Sequence, residues 1–158
     1  MDRNRTITKQ TKNLIINALK QIPPLEDGTE FNFIAEDGED FFEQYPAIRV
    51  IPSGITREID SEQGRIDYKM DFTISVYLEL NSNTPTKELI DTITDMTDSI
   101  LYQLDYTNWL PETQGNRYGF VLVENSTSST IDIIQTKSGS VLYNDMTYTV
   151  SYREPLTL

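Results

Sequence analysis

The sequence predicts an α+β domain: an antiparallel β-sheet with two amphipathic helices packed on one face and a long projecting β-hairpin. Three observations carry this. Residues 66–80 alternate apolar and polar without a break, which is the period of a half-buried strand. Two segments, 7–22 and 86–105, place apolar residues at helical spacing instead. Short apolar runs bounded by turn residues fill the remainder, in the order α-β-β-β-α-β-β-β.

Each element has its own signal. In the first helix Leu14, Ile15, Ala18, Leu19 and Ile22 form one apolar stripe, and Pro23-Pro24 stops it for want of amide donors. A short strand, Phe31-Asn32-Phe33-Ile34, lies between two Glu-Asp-Gly triplets at 26–28 and 36–38. A second strand begins at Tyr45-Pro46-Ala47-Ile48-Arg49-Val50-Ile51. Pro52 cannot donate to a ladder, so this strand sits at an edge or bends there. In the third, Ile66, Tyr68, Met70, Phe72, Ile74, Val76, Leu78 and Leu80 share one face. A slip of one residue would put them all in water, so the register is specified. The second helix, 86–105, starts after Pro85 and ends before Pro111. Strands at 118–124, 130–136 and 141–153 follow, with turns at Asn125–Ser129 and Ser138-Gly139-Ser140.

Composition narrows the chemistry. At 158 residues, with 37% hydrophobic and 24% charged, residues 1–158 suit one folded domain. No run reaches the ~18 apolar residues of a membrane span, and the polar start Met1-Asp2-Arg3-Asn4-Arg5 is no secretory leader, so a place inside the producing cell is expected. Cysteine and histidine are both absent, which removes thiolate chemistry, the commonest general base and the commonest metal ligands. The net charge of −12 disfavours binding to a nucleic-acid backbone. Charge is uneven: residues 1–20 hold five bases and one acid, whereas 26–43 hold eight acids and no base. These segments either pair between neighbouring copies or form two solvated faces.

The third strand carries an inference from length. Fifteen extended residues reach about 50 Å, against roughly 40 Å for the diameter of a domain this size. With residues 48–59 it forms a hairpin whose tip, near Asp60–Gly64, is expected to leave the body. Ile55, Ile59 and Ile66 lie on that part, and leaving each one wet forgoes about 1.5–3 kcal/mol. Either a neighbouring subunit covers them or the hairpin curls over its own sheet.

Other constellations are weaker. Asp91, Asp95 and Asp98 share a helix face at a spacing that can hold Mg²⁺ or Ca²⁺, and the same face is where solvated carboxylates belong. The acidic 26–43 stretch lacks the calcium-loop pattern. Tyr102, Tyr106 and Trp109 either anchor an interface or seal a core edge. Asn4-Arg5-Thr6 and Asn125-Ser126-Thr127 match the glycosylation pattern, which means nothing without a secretory signal. An acidic protein can also mimic DNA, but that requires acids spread along one face.

Taken together, the first helix, the segment Tyr-Pro-Ala-Ile-Arg-Val-Ile-Pro-Ser-Gly at 45–54, the long strand at 66–80, the second helix and the C-terminal meander resemble the tail terminator (tail completion) proteins of long-tailed bacteriophages. The resemblance covers about residues 7–153. It implies a virion protein without catalytic activity or cofactor, assembled in the host cytoplasm. Six copies would form a ring that caps the tail tube, stops its growth and offers a surface to the head's connector or stopper protein. Its partners would be other copies of itself, the tail tube protein and that connector, with DNA sliding through and no membrane involved. By position, Ile55, Arg57, Glu58, Ile59, Arg65 and Ile66 are expected to touch a neighbouring subunit. Neck proteins at the head–tail junction share similar folds and are the nearest alternative. A carboxylate-dependent metal hydrolase built on Asp91, Asp95 and Asp98 is the alternative of a different class.

Overall fold

The structure, a computed structural model, describes residues 7–26, 28, 33–35, 45–80, 83–105, 119–122, 130–136 and 139–156. Helix α1 spans Ile7–Leu19 and buries Ile15, Ala18 and Leu19 along one stripe. It stops three residues short of the expected end at Ile22. Pro23 biases the residue before it away from helix, and the chain tightens into i→i+3 bonds from Gln21 to Ala18 and Ile22 to Leu19.

Strand β1 is only Phe33–Ala35, and it pairs with the start of β2, Ala47–Asp60, in parallel. β2 turns back antiparallel into β3, Arg65–Glu79, and the register shifts between Pro52 and Gly54. Pro52 has no amide to give, so the ladder breaks where the sequence says it must. Helix α2 covers Thr86–Asp105, the expected limits. The Pro85 carbonyl accepts the amides of Glu88 and Leu89, and Glu88 places an acid in the first turn, where the helix dipole favours it. Two shorter strands follow, β4 at Gly119–Leu122 and β5 at Thr130–Thr136, before β6 at Gly139–Pro155.

The sheet is mostly antiparallel with both helices on one face, an α+β architecture. β6 is the last strand in sequence but sits inside the sheet, antiparallel to β3 from Val141 opposite Glu79 to Pro155 opposite Arg65. Its other edge is shared by β5 along residues 139–145 and β4 along 150–153. The buried face of β3, from Met70 through Leu78, meets Ile15 and Leu19 of α1 and Ile93, Met96, Ile100 and Leu104 of α2 in one core. Polar links tie the layers: the Thr97 hydroxyl accepts from Asn144 at 2.7 Å, and the Tyr148 hydroxyl donates to the Leu104 carbonyl at 2.6 Å.

This arrangement corrects the expected projecting hairpin. The ribbon of β2 and β3 does not leave the body as two strands, because β6 accompanies β3 as far as Arg65 at the turn. A lone ribbon would leave the second edge of β3 to water, and residues 141–155 of β6 pair with it instead. Even the turn is tied down: the Leu156 amide donates to the Gly64 carbonyl at 2.8 Å.

Candidate subunit-contact surface

Among the described residues, the outer half of β2 combines high side-chain exposure with a single strand neighbour. β1 pairs with residues 47–49 only, so among the described residues the strand from Val50 to Asp60 has a partner on one side, β3. Directly opposed residues of an antiparallel pair point to the same face. Ile55 opposes Met70, Arg57 opposes Tyr68 and Ile59 opposes Ile66, so all six face the side that carries the helices. Even on that side, Ile55 and Ile59 are 59% and 53% exposed.

The six residues expected at a contact therefore divide. Ile55, Arg57 and Ile59 form an exposed row on the helix-bearing face. Ile66 shares that face but is 5% exposed, which corrects the expectation that it stays wet. As the middle strand, β3 has Ile59 on one side of Ile66 and Glu154 on the other. Glu58 and Arg65 oppose Asp67 and Asp60 on the reverse face. There Arg65 Nε lies 3.3 Å and Arg153 Nε 3.0 Å from the two oxygens of Asp67.

Arg57 is held in a polar relay across three strands. Its Nε donates to the Tyr68 hydroxyl at 3.4 Å, its guanidinium lies 6.0 Å from that ring's centre, and the hydroxyl donates to Glu154 Oε1 at 3.1 Å. The relay fixes Arg57 between Ile55 and Ile59, giving an apolar–cationic–apolar row along an open strand edge. At the tip, the Gln63 amide donates to Asp60 Oδ1 at 3.1 Å, and Gly64 takes a φ of 61°, which glycine adopts without strain.

A second exposed apolar strand lies at the other side of the sheet. On β5, Ile131, Ile133 and Ile134 are 37%, 49% and 36% exposed. The sequence contained a signal for this. Adjacent Ile133 and Ile134 put one side chain on each face in any register, so a strand with one buried face cannot hide both. Beside them the Tyr143 hydroxyl is pushed above its ordinary range by desolvation, then by the carboxylates of Asp132 and Asp145 and by Tyr77.

The other candidates fare differently. Asp91, Asp95 and Asp98 are exposed, and among the described residues no three carboxylates stand close enough to hold a metal ion. Tyr102 is 65% exposed and does not seal the core. Tyr106, Trp109, Arg3, Arg5, both glycosylation patterns and most of the acidic 26–43 stretch lie outside the described residues. No described helix is long and apolar enough to cross a membrane. Compared with known proteins, the sequence matches no family model, and no curated protein matches it.

Proposed function

We propose that this chain is a structural, self-assembling virion protein of the tail-terminator kind, acting as a ring and not as an enzyme. Copies associate side by side, six by the family resemblance, to cap the finished tail tube, end its growth and present a joining surface to the head's connector. The observation that carries this reading is the open edge of β2 with Ile55 and Ile59 exposed on it. A long edge with no strand partner among the described residues is a template for another chain. The charge supports it too. A net −12 suits the wall of a channel that DNA must traverse without sticking. The absence of cysteine and histidine fits a part that performs no chemistry.

Native mass spectrometry and negative-stain imaging of the purified protein test the assembly. Addition to polymerising tail tubes tests the cap. Closed rings that arrest tube growth are expected. A protein that stays monomeric at every concentration and leaves tube length unchanged overturns the reading. Localising the ring within virions separates a terminator from a neck protein.

A further inference from the structure

The two sides of the sheet differ in a complementary way, and we infer that they are the two halves of one head-to-tail contact between successive copies of this chain. The inference rests on the ring reading and specifies its joint. One side is the β2 edge, with α1 packed against β2. The other is β5, whose outer edge has no strand partner among the described residues.

Three relationships match these sides to each other. The first is apolar. Ile55 and Ile59 lie on the helix-bearing face of β2, and Ile131 and Ile133, opposite Asn144 and Leu142, lie on the same face at β5. On the reverse face Ile51 and Ile134 match in the same way, and all six are at least 36% exposed. The second is direction. β2 opposes β3, β3 opposes β6 and β6 opposes β5, so β5 runs against β2. A copy added by rotation thus meets its neighbour as an antiparallel pair, without inversion.

The third is charge. Helix α1 with Lys20 and β2 holds five bases, Lys9, Lys12, Lys20, Arg49 and Arg57, against two acids. Helix α2, β5 and residues 139–147 hold one lysine against seven acids, Asp132 and Asp145 among them. A symmetric contact of β2 with β2 would bring two basic sides together, whereas the head-to-tail contact joins basic to acidic. Heterologous contacts of this type close into rings when the rotation permits.

The strands also set the geometry. Ile55 is level with Met70, and Ile133 is level, through Leu142, with Leu78, eight positions further along β3. Neighbours are therefore offset by about 26 Å along the strands, and closure requires strands inclined to the ring axis, as in a barrel.

Native mass spectrometry of two double variants tests this. Ile55→Asp with Ile59→Asp blocks one side, and Ile131→Asp with Ile133→Asp blocks the other. Each alone is expected to be monomeric, and a mixture of the two to give a 1:1 heterodimer, because each retains the side the other lacks. Far-UV circular dichroism checks the fold, and if a double variant unfolds, Ile59→Lys and Ile133→Lys make the same comparison. Wild-type rings with either variant still assembling would overturn the joint and leave the ring reading intact. Homodimers of the β5 variant alone would show a symmetric β2 contact instead. A monomeric wild type would remove the ring reading itself.

Discussion

Ile59 and Ile66 stand directly opposite each other across β2 and β3 on one face of the sheet, yet Ile66 keeps 5% of its surface and Ile59 keeps 53%. One strand's difference in position separates a core residue from an exposed one. Truncating Ile66 to alanine is expected to destabilise the monomer by about 2–5 kcal/mol. The same change at Ile59 should stay within about 0.5 kcal/mol. Urea unfolding at low protein concentration measures both. Equal losses would mean that Ile59 is already covered in the isolated chain.

The pair Thr97 and Asn144 predicts an asymmetry. The Thr97 hydroxyl donates to the Ile93 carbonyl at 2.8 Å and accepts from Asn144 Nδ2, while Asn144 Oδ1 makes no hydrogen bond among the described residues. Thr97→Val strands the buried amide and should cost about 1–3 kcal/mol. Asn144→Leu removes an already unsatisfied oxygen and leaves Thr97 its carbonyl, so its loss should be the smaller. Thermal melts of both variants decide the order.

Tyr148 predicts the alkaline limit of the fold. Desolvation first, then the Asp105 carboxylate, raises its pKa above the ordinary value, and its hydroxyl donates to the end of α2. The folded state thus holds this proton more tightly than the unfolded one. The contribution is complete below about pH 10, where both states are protonated, and declines as the pH rises toward the folded pKa. Tyr148→Phe should be less stable at pH 7 and lose less on going to pH 11. Parallel slopes for the two proteins would rule out Tyr148 as the responsible group.

Gly64 closes the β2–β3 turn at a φ of 61° with open space where a Cβ would go. Alanine there should cost about 1 kcal/mol through backbone strain alone, and asparagine, which tolerates this region, should cost less. Urea midpoints for the two variants give the comparison, and a harmless alanine would mean that the turn rearranges.

The elements were legible in the sequence because their periods are. The alternation of 66–80 fixed the buried face of β3, and Pro85 fixed the start of α2. Pro52 marked the break in β2. What periodicity does not encode is the partner. Nothing in residues 141–153 says that they will run beside β3 to its tip, and that pairing turned an expected two-stranded arm into part of a broader sheet. Ile66 was misplaced for the same reason, since its cover comes from its position between two strands. β5 was read as a strand, and its adjacent Ile133 and Ile134 meant that one of them stays exposed. That the helix-facing one is exposed too depends on α2 packing on β3 and β6.

The interior seat of β6 also bears on how the chain is made. Synthesis runs from α1 toward β6, so the strand that completes both β3 and the β4–β5 side emerges last. Until Gly139–Pro155 leaves the ribosome, β3 has one bare flank and the half-built sheet is open to pairing with other nascent chains. Closing it demands contacts as distant in sequence as Arg65 and Pro155, which makes final docking slow compared with helix formation. The sheet is therefore complete only once β6, made after every strand it joins, has docked.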